Sequence, residues 1–194
     1  MKKLKVQDLI LIGVYAAMYF LIVSVATMLA RFTIPIYNSL LIPSVSALIS
    51  GTLYLIVINK VPKFGAITLV GAIMAIFFFA FGYFPLAFLP SILFPLLADL
   101  IQYKSKFPRQ LKSYLSYTIF SFGLTGPILP LWFMKDAYVS SLLKRGKDMT
   151  YVQSVFEPVT SVSFIVSMLL VVVTSLIGLK IGYSIYNKHF LRKK

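Results

Sequence analysis

The sequence contains no cysteine and only one histidine, His189, in 194 residues. The absence of cysteine excludes disulfides, cysteine nucleophiles and thiolate metal sites. One histidine cannot form the His-Glu-x-x-His pair of a zinc protease, and a histidine outside the apolar runs cannot be the buried base of an intramembrane serine protease. The phosphate-binding pattern G-x-x-x-x-G-K-S/T is missing as well. We therefore expect the chain not to be an enzyme, to hold no metal or cofactor, and to hydrolyse no ATP itself.

Charged residues are scarce too, at 12% of the chain, against about 25% in a typical soluble domain. Hydrophobic residues make up 59%, and the mean hydropathy is +0.90. Long stretches carry no charge at all, namely residues 9–30, 32–59, 64–98, 113–134 and 158–179. Each is at least as long as the roughly 20 residues that cross a bilayer core. The composition therefore predicts a polytopic membrane protein.

The run at 64–98 is too long for one span and contains FGYFPLAF, in which Gly82 and Pro85 favour a turn. Dividing it there gives six predicted transmembrane helices, near residues 8–30, 38–58, 65–81, 86–103, 113–134 and 159–187. The first run exceeds the roughly 7–15 apolar residues of a cleaved signal peptide, so we expect it to be retained. Short connections join most spans, which predicts a single all-α bundle of six helices over residues 1–194.

The uneven distribution of lysine and arginine predicts the orientation. If both termini lie on one side, that side holds fourteen of the 19 cations, and the other holds only Arg31, Lys135, Lys144, Arg145 and Lys147. Because positive charge is retained on the cytoplasmic side, we expect both termini to be cytoplasmic and the protein to lie in the plasma membrane. The net charge of +14 also gives affinity for anionic membrane lipid. Nucleic acid is not an expected partner, because the basic residues are spread over short segments with no soluble module to present them.

One carboxylate, Asp99, lies inside a predicted span, in the segment LLADLIQY. A carboxylate within a membrane segment is a functional candidate by default. The simpler interpretation places Asp99 near the cytoplasmic headgroups, paired with Lys104, Lys106 or a basic residue of a partner. A role of Asp99 in a proton relay is another interpretation. A relay would need further titratable groups in the membrane, and none is found there.

Aromatic and polar residues concentrate on the predicted outer side, after the first span, in the turn between the third and fourth spans, and in the long connection between the fifth and sixth. In that connection Trp132, Tyr138, Tyr151 and Phe156 alternate with charged residues. The candidate solute contacts are Arg31, Tyr37, Asn38, Tyr83, Phe84, Trp132, Lys135, Asp136 and Glu157. Aromatic walls with a few polar groups suit a small-molecule pocket. We place it between the fourth, fifth and sixth spans, under the connections that follow the first and fifth spans, because prolines interrupt the fourth and fifth helices. An aromatic belt at the membrane interface is the alternative.

The first span carries small residues along one side, at Gly13, Ala16, Ala17 and Ser24. In lipid, small residues let two helix backbones approach closely. The stripe is therefore a candidate docking surface for another membrane protein, with internal packing as the alternative. Gly178 and Gly182, spaced G-x-x-x-G in the last span, raise the same two interpretations. For that pair, internal packing is the preferred one.

Taken with these features, the segments DLILIGVYAAMYFLI, LLADLIQY and WFMKDAYVSSL resemble a known family. The chain looks like the substrate-binding S component of an energy-coupling factor (ECF) transporter. More narrowly, it resembles the Trep_Strep, or MptD-type, group of S components. That family usually has Ala-x-x-x-Ala in its first helix; here Gly13 takes the first place and Ala17 the second, so both positions remain small.

The resemblance implies a function. An S component captures a small micronutrient, such as a vitamin, from outside and delivers it inward together with a transmembrane T component and two cytoplasmic ATPases. By resemblance, Gly13, Ala16 and Ala17 would dock the T component. The S component would then topple within the membrane to release its solute.

Two other functions remain open. A stand-alone carrier of small solutes would normally show internal repeats, and the two halves of the sequence show no convincing repeat. A membrane assembly or scaffold protein would share the small-residue faces, but it would not need the aromatic and polar outer connections.

Overall fold

The computed structural model describes residues 3–84 and 87–191, and every regular element in that part of the chain is helical. The α-helices there are α1 (Val6–Thr33), α2 (Asn38–Ile49), α3 (Gly51–Lys60), α4 (Ala66–Ala80), α5 (Phe88–Lys104), α6 (Arg109–Ser121), α7 (Pro130–Phe133), α8 (Lys135–Lys144), α9 (Met149–Phe156) and α10 (Ser161–Tyr186). Short 3-10 turns at Pro35–Tyr37 and Phe122–Thr125 and a π-helical turn at Asn187–Leu191 complete the described elements. The all-α prediction is confirmed for these residues. Pro85, on which the turn prediction rested, lies outside them.

Two of the described helices are long and apolar enough to cross a membrane alone: α1, with 28 residues, and the continuous helix Ser161–Phe190. The pair α2 and α3, which bends by 53°, is a third candidate. The other predicted spans coincide with α4, α5 and α6, which have 15, 17 and 13 residues. These lengths fall short of the roughly 20 residues of a straight crossing. The described residues thus contain two or three candidate spans, and the count of six stays a prediction.

The bend between α2 and α3 lies at Ser50, which α6 contacts. Ser50 Oγ donates to the Ser46 carbonyl at 2.7 Å and lies 2.9 Å from the Tyr117 hydroxyl of α6. The Tyr117 hydroxyl donates in turn to the Ala47 carbonyl at 2.5 Å. The Tyr117 side chain of α6 thus provides a hydrogen-bond donor to a backbone carbonyl next to the bend, and a buried carbonyl requires such a partner.

α10 packs on this bend through glycines. A Cβ on Gly51 would lie 2.2 Å from the Gly178 carbonyl oxygen, and a Cβ on Gly178 would lie 2.3 Å from the Ala47 oxygen. A Cβ on Gly182 would lie 2.7 Å from the Gly51 carbonyl carbon. The two helix backbones therefore touch directly, as small residues in membrane helices allow. This contact supports the internal-packing interpretation of the G-x-x-x-G pair.

One end of the bundle collects the start of α1, the end of α3, the start of α6 and the end of α10. Asp8 of α1 accepts a hydrogen bond from Lys63 Nζ at 2.5 Å, and Arg109 of α6 donates to Asn59 of α3 at 2.9 Å. The last turn of α10 lies beside the latter pair. We call this the terminal end. The connections after α3 and after α5 lie at this end, and the distribution of lysine and arginine predicts that both are on the same side of the membrane as the termini.

Asp99 binds the first turn of α4. Its Oδ2 accepts from the backbone N–H groups of Gly65 (3.0 Å) and Thr68 (2.8 Å) and from the Thr68 hydroxyl (2.5 Å). The carboxylate is fully buried. Within the described chain neither Lys104 nor Lys106 forms an ion pair with it, so the predicted pairing with these lysines is wrong. The reason is that the unpaired N–H groups at a helix start attract and bind the carboxylate.

A small apolar cluster of Leu40, Ile128 and Leu131 lies at the other end of the bundle. Trp132 and Tyr138 are among the aromatic residues that pack against it. The cluster supports the connection between the fifth and sixth predicted spans. That connection folds into the short helices α8 and α9.

Candidate functional site

A cavity of about 150 Å³ opens beside this cluster, away from the terminal end. Its walls come from α1, α2, the end of α4, the segment 124–131, and the short helices α8 and α9. The lining residues include Val23, Thr27, Ser39, Ile42, Phe78, Tyr83, Ile128, Leu131, Tyr138, Tyr151 and Val155. Parts of the chain that are distant in sequence thus enclose one volume.

A larger depression of about 320 Å³ adjoins this cavity. The two share Ser39, Leu131, Tyr151 and Val155. We call them together the outer cavity, with the first as its inner chamber and the second as its outer chamber.

Three tyrosines, Tyr83, Tyr138 and Tyr151, give the inner chamber its chemical character. The Tyr83 ring lies 5.0 Å from Phe78 and the Tyr138 ring 5.7 Å from Phe84, between ring centroids. Such contacts hold the rings in place while their hydroxyls stay able to form hydrogen bonds. Of the described residues that line this chamber, none has a charged side chain. It therefore suits a small solute with an apolar or aromatic body.

The Tyr138 hydroxyl is uncharged near neutral pH. Burial raises the pKa of Tyr138 above its ordinary value, and the nearby Tyr151 raises it further, while Arg145 lowers it in part. A neutral hydroxyl both donates and accepts hydrogen bonds. Tyr138 can therefore match either kind of polar atom on a solute.

The outer chamber is more polar. Asn38 Nδ2 donates to the Pro35 carbonyl at 2.7 Å, and Ser39 Oγ donates to Asn38 Oδ1 at 2.9 Å, which orients both side chains at the start of α2. Among the part of its lining that the structure describes, Glu157 is the one charged side chain. An ionised carboxylate only accepts hydrogen bonds, so this position favours a donor or a cationic group on the solute. Within residues 3–84 and 87–191, no three His, Asp or Glu side chains come together as metal ligands would.

Local sequence explains how α9 reaches the wall of the cavity. Gly146, in the turn after α8, has a φ of +75°, which favours glycine. Asp148 then caps α9 by accepting from the Tyr151 backbone N–H at 2.8 Å. Lys147 lies over the Tyr151 ring, 4.8 Å from its centroid. These contacts fix Tyr151 in the first turn of α9, where it faces both chambers.

The structure brings some of the predicted solute contacts together and not others. Tyr83 lines the inner chamber, and Asn38 and Glu157 line the outer one. Trp132 lines neither: its Nε1 donates to the Thr160 carbonyl at 2.9 Å, which ties together the two ends of the connection that holds α8 and α9.

The remaining predicted contacts also lie outside both chambers. Phe84 is buried behind Tyr138, and Lys135 Nζ lies 5.5 Å above the Phe156 ring. Arg31, Tyr37 and Asp136 are exposed. Three of the nine predicted contacts thus line the outer cavity, and the assignment of all nine as solute contacts stays a prediction.

The outer cavity also differs in position from the predicted pocket. α5 and α10, which are the fourth and sixth predicted spans, contribute no lining residue, whereas α1 and α2 contribute several. Sequence reasoning missed Thr27 and Ser39 altogether. Thr27 Oγ1 donates to the Val23 carbonyl at 2.8 Å, a bond that any helical threonine can make, so nothing in the sequence marks it. Tyr138 and Tyr151 are among the aromatic residues that alternate with charged residues in the connection between the fifth and sixth predicted spans. That alternation was the sequence feature that could have identified them as lining residues.

The predicted docking residues divide between two faces of α1. Gly13 and Ala17 are exposed, and a Cβ at Gly13 would meet nothing within 4 Å. Ala16 is only 1% exposed and packs in the core. The open small-residue surface therefore consists of Gly13 and Ala17, and Ala16 offers no surface to a partner.

Long apolar helices in an all-helical fold define the class of the molecule as an integral membrane protein. The chain belongs to the Trep_Strep family of hypothetical bacterial integral membrane proteins, whose family model matches residues 6–192. No curated protein and no solved structure matches the chain. Membership of the Trep_Strep family, which the sequence motifs suggest, is thereby confirmed, together with a membrane location.

Proposed function

We propose that this protein is the substrate-binding S component of an ECF-type importer in the bacterial plasma membrane, with six spans and both termini cytoplasmic. The observation that carries the proposal is the outer cavity, an open cavity lined by tyrosines and hydroxyl groups at the end away from the termini. In the proposed orientation this cavity faces the outside, where solute is captured. The terminal end, with most of the positive charge, faces the cytoplasm.

The captured solute is a small micronutrient whose apolar or aromatic part lies in the inner chamber. Tyr83, Tyr138 and Tyr151 provide contact area and hydroxyls for it. A hydrogen-bond donor or cationic group on the solute points toward Glu157 in the outer chamber. Analogues that lack the matching polar atoms bind less well, because they do not form the hydrogen bonds to these side chains.

Delivery to the cytoplasm requires partners. A T component docks on the open face of α1, where the exposed Gly13 and Ala17 let an approaching helix reach the backbone. Two cytoplasmic ATPases hydrolyse the ATP, and this chain performs no chemistry. The family resemblance supplies the remaining step, in which the S component topples in the membrane and releases the solute inside.

A thermal-shift screen of the purified protein against vitamins and their precursors tests the capture step. For the best hit, Tyr151→Ala should lower the affinity about tenfold, since it removes an aromatic contact and a hydroxyl together. Tyr37→Ala is the matched control, because Tyr37 and Tyr151 are both 44% exposed and only Tyr151 lines the cavity. The absence of any hit, or an equal loss in both variants, would contradict the assignment of the outer cavity.

A further inference from the structure

A separate cavity of about 480 Å³ opens at the terminal end, between α3, α6 and α10. Its wall is about equally polar and apolar, and the side chains with polar groups include Asn59 from α3, Arg109, Gln110 and Ser113 from α6, and Tyr183 and Tyr186 from α10. We call it the terminal groove. It shares no lining residue with the outer cavity.

Arg109, an exposed residue, forms a side-chain hydrogen bond at the groove. Its Nη2 donates to Asn59 Oδ1 at 2.9 Å, and Asn59 Nδ2 donates to the Leu55 carbonyl at 2.7 Å. The second bond fixes the Asn59 amide with its oxygen toward the guanidinium. A guanidinium has several N–H donors in a planar fork, so Arg109 can keep its bond to Asn59 and bind a further acceptor in the groove.

Within residues 3–84 and 87–191, no carboxylate lines the terminal groove. The chain has five acidic residues, and none of them lines the groove. Asp8 pairs with Lys63, and Asp99 binds the start of α4. The other three lie within residues 135–158, in the connection at the opposite end. Among the described lining residues, a guanidinium that is hydrogen-bonded to Asn59 lies beside neutral polar groups, and this arrangement favours an anion.

We propose that the terminal groove binds a phosphate group, either in the headgroup of an anionic phospholipid or as soluble phosphate. The planar fork of Arg109 matches two phosphate oxygens, and the Gln110 amide and Tyr186 hydroxyl are further donors along the same wall. Basic pockets between membrane helices at the cytoplasmic surface recognise phospholipid headgroups by this chemistry. A bound phosphate would connect the ends of α3, α6 and α10.

Thermal unfolding of the whole protein in a neutral detergent tests the proposal, with titrations of phosphatidylglycerol, of diacylglycerol and of inorganic phosphate. A ligand that binds the folded protein raises Tm with its concentration, which yields an apparent Kd. We expect saturable stabilisation by phosphatidylglycerol and not by diacylglycerol, which has the acyl chains without the phosphate. Stabilisation by inorganic phosphate as well would show that the phosphate group suffices without the lipid.

Charge-matched variants decide whether the groove is the site. Arg109→Gln should raise the apparent Kd about tenfold, because charge-assisted hydrogen bonds are lost. Gln110→Glu, at an exposed position, places a carboxylate in the groove and should weaken binding similarly without removing a native bond. Lys106→Gln removes one positive charge from an exposed residue that does not line the groove, and should weaken binding distinctly less.

Three results would overturn the proposal. The first is that neither phosphatidylglycerol nor inorganic phosphate stabilises the protein. The second is that diacylglycerol stabilises it as much as phosphatidylglycerol does. The third is that Lys106→Gln weakens binding as much as Arg109→Gln and Gln110→Glu do.

Discussion

Replacing Gly178 by alanine should separate α10 from the bend between α2 and α3. The new Cβ would lie 2.3 Å from the Ala47 oxygen and 2.7 Å from the Leu48 oxygen, where ordinary contact begins at 3.4 Å. Because both neighbours are backbone atoms, neither can rotate away as a side chain would. α10 must therefore move outward by about 1 Å in an interior packed as densely as a crystal.

The expected cost follows from that movement. Adding a methyl group to a filled interior typically costs about 1–3 kcal/mol of unfolding free energy. We expect the upper part of this range, since the shift also opens the neighbouring contact between Gly182 and Gly51. Gly13→Ala is the matched control, as it adds the same methyl group to the other long helix, where nothing lies within 4 Å. It should leave stability unchanged or raise it by up to about 1 kcal/mol through helix propensity.

Thermal unfolding of both variants in detergent, followed by helical circular dichroism, measures the difference. Gly178→Ala should unfold at a clearly lower temperature than the wild type, and Gly13→Ala should not. Equal Tm values for the two variants would refute the internal contact and would reopen the alternative that Gly178 and Gly182 face a partner.

Other substitutions test the carboxylates and the docking face. Asp99→Ala should cost about 2–4 kcal/mol of unfolding free energy, since it leaves buried donors at the start of α4 unpaired. Asp99→Asn should cost less, because the asparagine amide keeps an acceptor oxygen. Unchanged Tm values would contradict the role of Asp99 as a cap of α4. Gly13→Leu and Ala17→Leu should preserve Tm and solute binding, but they should abolish ATP-driven uptake in proteoliposomes that contain the T component and the ATPases. The reason is that a bulky side chain holds the partner helix away. Normal uptake by the double variant would disprove docking at this face. In calorimetric titrations, Glu157→Gln should lower the affinity for a cationic solute about tenfold and leave the affinity for an uncharged solute unchanged. An equal loss of affinity for all solutes would mean that Glu157 acts through folding.

Long charge-free runs were sufficient to predict the two long helices. Residues 8–30 and 159–187 were expected, and Val6–Thr33 and Ser161–Tyr186 are found. Each helix satisfies its own backbone, so local hydropathy largely decides where it lies. Hydropathy does not mark the bend at Ser50, which lies inside a charge-free run; there the Ser50 hydroxyl contacts that of Tyr117, 67 positions later in the chain.

The site was less predictable than the helices. Aromatic and polar composition pointed to the end of the molecule at which Tyr83, Asn38 and Glu157 line the outer cavity. Composition cannot separate an aromatic residue that lines a cavity from one that closes a loop, as Trp132 does through its bond to the Thr160 carbonyl. That distinction is decided by tertiary contacts between segments that are distant in sequence.

Copurification tests the central claim most directly. The tagged protein is co-expressed with a T component and two ATPases of the same genome and is purified in detergent. The S-component function predicts a near-stoichiometric complex for the wild type and its loss in the double variant Gly13→Leu, Ala17→Leu. A wild-type protein that purifies without the T component, and that carries its solute into proteoliposomes with no partner present, would contradict that function and favour a stand-alone carrier.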